Sequence, residues 1–316
     1  MPELPEVETT VKGLKSKVLK RAFVDVWSDW KKLIKKPKDF EIFRKELKNK
    51  KIINIWRRAK NIIFDLSPTN FGSEKKEHSK ERKNLKLVRD KSDGFSLLVH
   101  QKMTGHLLYG TWIIKNKEWH PLQKGPLEDK NNKYIHIIFF LDNKKMIALS
   151  DVRKFAKIEL WKTRELLNSK EFNKLGPEPL EKSFTFEKFK KIMTGKTGKA
   201  KQVIMNPEVI AGIGNIYSNE ALWRAKIHPE KNIGKLSKSE TKLLYQAIKD
   251  VLRIGVKLGG ESFSDYRKPD GSKGDFDTER RVYKREGQKC YRCKAKIKRI
   301  KFGGRSAFFC PSCQKI

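Results

Sequence analysis

The only four cysteines of this 316-residue chain stand as two close pairs, Cys290-x2-Cys293 and Cys310-x2-Cys313, sixteen residues apart. Two such knuckles bring four thiolates into a tetrahedron around one Zn2+ with no position left open, so the expected cofactor is a single structural zinc. Two disulfides or unligated thiols are the alternatives the same residues allow; close pairing favours a metal in a reducing cytoplasm. Zinc binding, roughly 10 to 16 kcal/mol in comparable peptides, serves as folding free energy for a hairpin too small to own a core. Residues 287–316 hold nine lysines and arginines and no acidic side chain, as suits a stapled hairpin that grips a duplex.

The amino terminus, Met1-Pro2-Glu3-Leu4-Pro5-Glu6-Val7, offers a different chemistry. A small second residue permits removal of the initiator methionine, which exposes a secondary amine on Pro2. An α-amino group titrates near ~8, below the ~10.4 of lysine, so more of it is unprotonated at neutral pH. Such an amine can attack an electrophilic sugar carbon and become a cationic imine. The adjacent Glu3 could donate or accept the protons that ring opening requires. A proline-rich arm leading into a helix is the other reading of these residues.

These groups need a scaffold and a partner. Lysine plus arginine number 73 against 37 aspartate plus glutamate, a formal charge of +36. Residues 1–160 carry +17 of it and the remainder +19, which fits a polyanion held between two basic lobes better than a basic tail. With 37% hydrophobic and 10% aromatic residues the chain has the material for a core, and its length suits about two domains. No run of ~18 apolar residues and no signal-like start is present, so a membrane is not expected.

Periodicity predicts a helix over residues 5–18, with Val7, Val11, Leu14 and Val18 on one face. Strands are expected at Ala22–Trp27, Ile52–Trp56, Ile62–Leu66, Phe95–Val99, Tyr134–Leu141, Lys145–Leu149 and Ala156–Leu160, with a helix at about Asp39–Lys48. A charged stretch, 72–94, reads as a solvated insertion. Leu175–Leu180, with two prolines, reads as a rigid linker. Helices follow at about 185–194, 199–205, 216–226 and 238–258. The expected class is α+β, divided as a β-sandwich domain with an amino-terminal helix over 1–160, a helical domain over 161–280 and a zinc-finger hairpin over 281–316.

Five blocks then stand in order: Pro2-Glu3-Leu4-Pro5-Glu6-Val7-Glu8-Thr9, Arg57-Arg58-Ala59-Lys60, Asp151-Val152-Arg153-Lys154-Phe155, Gly212-Ile213-Gly214-Asn215-Ile216-Tyr217, and the four-cysteine finger with Gly303-Gly304-Arg305. Together with Leu175–Leu180 they span almost the whole chain, which resembles the formamidopyrimidine-DNA glycosylases, bacterial enzymes that excise oxidised purines such as 8-oxoguanine. The resemblance implies Pro2 as the Schiff-base nucleophile on C1′, Glu3 as its proton-transfer partner, Lys60 as an aid to β-elimination, and Arg305 on the phosphates flanking the lesion and in δ-elimination. It implies DNA contacts at His100, Met103, Arg153, Phe155, Lys196, Lys201 and Asn215, with Met103 filling the space of the flipped nucleotide, Arg153 facing the orphan base and Phe155 wedged into the stack. Without it, Met103 and Phe155 read as core residues beside apolar strands. Gly212–Tyr217 resembles the turn of a helix-two-turns-helix motif, whose following helix start is a natural phosphate site. Gly259–Gly274 resembles a flexible loop that closes over an everted purine. Tyr134 stands where many relatives have the first of two histidines, with His136 retained, and Ala156 replaces a usual glycine.

The expectation is a cytoplasmic, monomeric, bifunctional DNA glycosylase and abasic-site lyase acting on double-stranded DNA with oxidised bases. Its rivals are an endonuclease VIII-like enzyme for oxidised pyrimidines, whose branch usually has glycine at the place of Leu4, and a non-catalytic DNA- or RNA-binding zinc protein.

Overall fold

The computed structural model describes residues 1–68 and 94–316; the charged insertion, Gly94 excepted, lies outside the described residues. The first lobe begins with α1 (Leu4–Val18), β1 (Phe23–Ser28), β2 (Ile34–Lys36), α2 (Phe40–Leu47), β3 (Ile52–Arg58) and β4 (Asn61–Leu66). It continues through β5 (Phe95–His100), β6 (His106–Gly110), β7 (Trp112–Lys115), β8 (Glu118–Pro121), β9 (Ile135–Leu141), β10 (Met146–Ser150) and β11 (Lys157–Lys162). A four-stranded sheet, β1-β9-β10-β6, faces a five-stranded one, β2-β11-β5-β4-β3. Phe23, Phe64, Leu97, Val99, Ile137 and Phe139 fill the space between them, each buried large side chain being worth about 1.5 to 3 kcal/mol.

Helix α1 joins the lobes. Its face of Val7, Val11, Leu14 and Val18 belongs to this sandwich core, whereas Leu4, one turn earlier, lies in the core of the helical lobe. The first turn of α1, and with it the amino terminus, is thereby fixed at the junction.

Two short helices, α3 (Thr163–Asn168) and α4 (Lys170–Asn173), follow. Leu166 and Phe172 pack with Ile63, Leu98, Trp56 and Trp161 of the five-stranded sheet, so the expected division at 160 falls inside β11, and the chain stays with the first lobe for about another dozen residues. The helical lobe comprises α5 (Phe186–Met193), α6 (Ala200–Met205), α7 (Asn215–Arg224) and α8 (Lys238–Lys257). Eight consecutive residues of α7, Ile216 to Trp223, are buried, which makes it the central helix. Helix α8 starts at a capping box in which Ser237 accepts from the Glu240 N–H at 3.1 Å and its own N–H donates to Glu240 at 2.9 Å. The chain ends in the hairpin β12 (Lys298–Phe302) and β13 (Arg305–Phe309). Its two-residue turn, Gly303-Gly304, has φ of 56° and 70°, the paired positive values that a tight hairpin turn needs.

The expected elements appear with ends shifted by one or two residues, but β2, β6, the β7–β8 hairpin and the short helices α3 and α4 have no counterpart in the sequence reading. Strand β2 is three residues long, too short to show a period. Strand β6 is buried at four of its five positions, so it lacks the alternation that marks a half-exposed strand. A second difference concerns Gly259–Gly274. The Tyr109 N–H donates to the Pro269 carbonyl at 2.7 Å, Asn132 donates to the Gly271 carbonyl at 3.2 Å, and Arg267 pairs with Asp129 at 3.0 Å. The later half of this segment is thus a strap fixed to the first lobe, while Phe263 and Ser264 in its earlier half are exposed.

Candidate active site

A cavity of about 530 Å³ opens between the lobes, lined among others by Met1, Lys60, His100, Lys201, Gly214 and Arg305. Six of the residues expected from sequence to act on substrate or DNA, or their immediate neighbours, therefore meet in one place although they span three hundred positions.

Glu3 is almost fully buried, and its carboxylate sits on the amino-terminal end of α7. Oε2 accepts from the Gly214 N–H at 2.8 Å and the Tyr217 N–H at 3.3 Å, and Oε1 accepts from the Ile216 N–H at 2.8 Å. The free N–H groups and dipole of a helix start favour an anion, and the anion here is a side chain of the protein, not the phosphate the turn motif suggested. Gly214 is required for it: a Cβ there would meet Glu3 Cδ at 2.4 Å. The Leu4 N–H donates to the Gly212 carbonyl at 3.0 Å, completing the clasp. Pro2 is buried beside it, and with Met1 attached its nitrogen is a peptide nitrogen. Burial lowers the terminal amine below its ordinary value, opposed by Glu3 and Glu6.

Glu6, which the sequence suggests only as a favourable charge at the start of α1, is also buried. It accepts from the Glu3 N–H at 2.7 Å, the Tyr217 hydroxyl at 2.6 Å and the Glu261 N–H at 2.7 Å. Burial, and secondarily the nearby Glu3, push its carboxyl up to about 7. It ties the terminus to α7 and to the start of the strap.

Lys60 occupies the turn between β3 and β4, where Ala59 takes the left-handed conformation, φ 53°. Glu178 of the Pro-flanked linker holds this turn. It accepts from the Ala59 N–H at 2.6 Å, from Arg57 at 2.5 Å and from Arg58 at 3.1 Å. Arg57 also reaches Glu8 at 2.9 Å, and Arg58 the Leu175 and Gly176 carbonyls at 2.7 and 2.8 Å. Burial lowers the Lys60 ammonium, Glu3 opposes this, and Arg305 adds to it.

Lys201 is 2% exposed. Its ammonium donates to Asn215 Oδ1 and the Ser306 carbonyl, both at 2.6 Å, and to Asn219 Oδ1 at 3.3 Å; burial depresses it to about 7. Lys201 and Asn215 thus bind each other and pin the finger to α6 and α7. Lys196 is exposed on the loop before α6 and lines no part of the cavity. His100 ends β5 and lines the cavity; its Nδ1 accepts from the Lys102 N–H at 2.9 Å, which leaves Nε2 as the donor of the neutral ring. Burial, with Lys102, Lys60 and Lys157 nearby, depresses it to about 3.

Met103 and Phe155 are not core residues. Met103 is half-buried on the turn after β5, and Phe155 is 51% exposed with the Arg153 guanidinium 4.5 Å from its ring centre. The fully buried Asp151 carboxylate joins their two segments. It accepts from the Thr104 hydroxyl, from the Phe155 N–H at 2.7 Å and from the Ala156 N–H at 2.8 Å.

The four cysteine sulfurs lie within 4.8 Å of one another, with Cys293 Sγ 3.3 Å from Cys310 Sγ and 3.5 Å from Cys313 Sγ. A tetrahedron with ~2.3 Å Zn–S bonds has edges of about 3.8 Å, so the donor set fits zinc. Around it the finger docks on the helical lobe. Arg292 stacks 3.8 Å from the Trp223 ring centre and donates to the Trp223 and Arg224 carbonyls at 2.6 and 3.0 Å. The Phe308 N–H donates to Asn219 at 2.9 Å, and Glu220 accepts from the N–H groups of Arg281, Val282 and Tyr283 at 2.8 to 3.0 Å.

A β-sandwich, a helix-two-turns-helix lobe and a four-cysteine finger around one amine-lined cavity define the class of lesion-excising DNA glycosylases. Residues 1–158 match the formamidopyrimidine-DNA glycosylase N-terminal domain, 175–267 its H2TH domain, and 287–316 the zinc finger found in FPG and IleRS. The formamidopyrimidine-DNA glycosylase of Pelotomaculum thermopropionicum is 35% identical over the full length of both chains, and that of Desulforamulus reducens 34% over 100% of this chain and 99% of its own. Among solved structures, Lactococcus lactis Fpg with an abasic-site DNA superposes at a TM-score of 0.79, 32% identical, covering 99% of this chain and 100% of that one. The same protein with an N7-benzyl-Fapy-dG DNA gives the same score and identity with both chains fully covered. The chain belongs to the formamidopyrimidine-DNA glycosylase family, and its finger is the site of one structural zinc.

Proposed function

We propose that this protein is a bifunctional DNA glycosylase and abasic-site lyase of base excision repair that removes oxidised purines from double-stranded DNA as a cytoplasmic monomer. The observation that carries the reading is the buried Glu3 carboxylate, held by three N–H donors at the start of α7 and adjoining the amino terminus and Gly214, which line the same cavity as Lys60.

Removal of Met1 leaves the Pro2 nitrogen as a secondary amine. Its lone pair forms a bond to C1′ as the glycosidic bond breaks and the base departs with the bonding electrons and a proton. Glu3 supplies or takes the protons of sugar-ring opening, which leaves a cationic imine between Pro2 and C1′. The imine draws electrons from C2′, so loss of a C2′ proton expels the 3′ phosphate, and a second elimination expels the 5′ phosphate. Lys60 serves the first elimination because burial brings its ammonium toward the range where it exchanges protons. Arg305, exposed at the hairpin tip and lining the cavity, can fork onto the phosphates beside the lesion.

Borohydride added during reaction with an 8-oxoguanine:cytosine duplex is expected to trap the protein on DNA, and intact mass is expected to lack Met1. Absence of an adduct with Met1-free protein refutes the enzymatic reading and leaves a non-catalytic zinc protein. A second reading, action on oxidised pyrimidines, draws on the Lactococcus lactis Fpg structure with an oxidised-pyrimidine DNA. Relative cleavage of 8-oxoguanine and thymine glycol duplexes decides between them, with 8-oxoguanine expected to be faster.

A further inference from the structure

Next to the Phe155 wedge lies a surface whose aromatic and basic residues the reading above leaves largely unassigned. Three strand ends meet at one edge of the four-stranded sheet: the end of β1, the start of β9 and the end of β10, where Ser28 pairs with Ile137 and Ser150 with Ile135. The segments leaving this edge each carry a partly exposed aromatic with a cation over its face. Trp30, 36% exposed, has Lys154 Nζ 4.5 Å and Lys32 Nζ 5.5 Å from its ring centre. Tyr134, 37% exposed, has Lys133 Nζ at 5.4 Å. The third is Phe155 with Arg153.

The segments are fastened to one another. The Asp151 N–H donates to the Tyr134 carbonyl at 2.9 Å, Ser28 donates to the His136 carbonyl at 2.8 Å, and His136 Nδ1 lies 2.9 Å from Asp29. The Asp29 carboxylate, the nearest acid to Trp30 in sequence, is therefore turned toward His136. Lys154 is held in the left-handed conformation, φ 55°, by its N–H bond to the Asp151 carbonyl at 3.0 Å. Such a conformation on a residue with a side chain is costly and persists only where the surroundings enforce it.

We propose that Lys32, Lys133 and Lys154 grip the backbone phosphates of the strand opposite the lesion, with Trp30 and Tyr134 as rigid supports that hold the ammonium groups in place. A lysine is a flexible point charge that gives up rotamer freedom when it binds phosphate. An aromatic face within 6 Å pays part of that ordering cost in advance. The strand assignment follows from position. None of these five residues lines the cavity that receives the flipped nucleotide, whereas Lys102, next to Met103, does, and Asp151 ties the Met103 turn to the segment that carries Lys154 and Phe155. A duplex that places its damaged strand over the cavity lays the other strand across Trp30 and Tyr134. The proposal rests on the reading of the protein as a lesion-excising glycosylase.

The test measures binding to a duplex with a tetrahydrofuran abasic analogue between 50 and 200 mM KCl. Each phosphate contact contributes about 0.9 to the slope of log affinity against log salt. Lys154→Ala should lower that slope by about 0.9, so its affinity falls about 3.5-fold less than that of the wild type across the fourfold range. Trp30→Ala should lower it in the same direction and Trp30→Phe should restore it. Neutral methylphosphonates in the undamaged strand should abolish the difference between wild type and variant; in the damaged strand they should leave it intact. Slopes unchanged in both Trp30→Ala and Lys154→Ala overturn the proposal, as does a difference removed only by substitution of the damaged strand. Borohydride trapping of the wild type is a separate readout: its failure removes the glycosylase reading, whereas trapping with unchanged slopes removes this inference alone.

Discussion

Glu178→Ala should uncouple the proton-transfer lysine from DNA binding. Glu178 is 5% exposed and is the common acceptor of the Ala59 N–H and both guanidinium groups of Arg57 and Arg58. Breaking a buried charge pair by removing one partner costs about 3 to 5 kcal/mol. The lower end applies, because Arg57 keeps Glu8 and Arg58 keeps the Leu175 and Gly176 carbonyls; the Ala59 N–H is left with no acceptor. A loss of about 3 kcal/mol in urea unfolding, followed by tryptophan fluorescence, is the expected result. Without the carboxylate the turn carrying Lys60 is free on its linker side, and a displacement on the order of 1 Å near the reacting atoms costs about a hundredfold in rate. Single-turnover cleavage of an 8-oxoguanine duplex at saturating protein should slow by about that factor, with duplex affinity within threefold of wild type. Glu178→Gln, which keeps an acceptor for Ala59 without the charge, should fall between. Full-rate cleavage in a variant shown to be destabilised refutes the link between this carboxylate and Lys60; unchanged stability refutes the buried-pair argument itself.

Three further outcomes follow from the geometry. Gly214→Ala places a methyl group where Glu3 Cδ lies 2.4 Å away, so borohydride trapping should drop at least a hundredfold while circular dichroism and zinc content stay unchanged; near-normal trapping counts against the role of Glu3. His100 is depressed to about 3, so from pH 8 down to pH 5 it takes up no proton and adds no charge against phosphate. His100→Gln should weaken duplex binding by the same factor at pH 5 and pH 8 and leave the salt slope as in wild type; a slope reduced by about 0.9 at either pH shows a charged ring instead. Removing zinc with a strong chelator should release one equivalent per chain and lower the salt slope by several units, because the hairpin that displays nine basic residues loses its staple; a full slope after complete release refutes a structural metal.

Much of this arrangement was legible in the sequence, and what was not has a common cause. Cys290, Cys293, Cys310 and Cys313 form two short knuckles, so spacing alone brings each pair together. The face of α1 and the long amphipathic α8 repeat over several turns. Glu178 and Asp151 instead act through partners far away in sequence: Glu178 binds a turn 119 residues upstream, and Asp151 meets Thr104 47 residues back. A carboxylate that will be buried by tertiary contacts is indistinguishable in a string from one that faces water. Their blocks had been singled out by resemblance to a family, but a block match marks a region without saying which member of it is held and which does the holding. For Met103 and Phe155 the apolar strands beside them suggested burial and only the resemblance pointed to DNA; the structure leaves Met103 half-buried and Phe155 exposed.

The use of α7 shows how two basic lobes come to share one reaction. A helix start preceded by Gly-Ile-Gly offers its N–H groups to any anion, and the sequence suggested DNA phosphate. Glu3 fills that position from the other lobe, so the helical lobe supplies the orientation of the acid while the sandwich lobe supplies Lys60. Leu4 lies in the helical core and Val7 to Val18 in the sandwich core; the strap and the Glu178 network cross the same junction. With a single helix spanning both cores, separating the lobes would require pulling the first turn of α1 out of one of them, exposing Leu4 and breaking the Glu3 contacts.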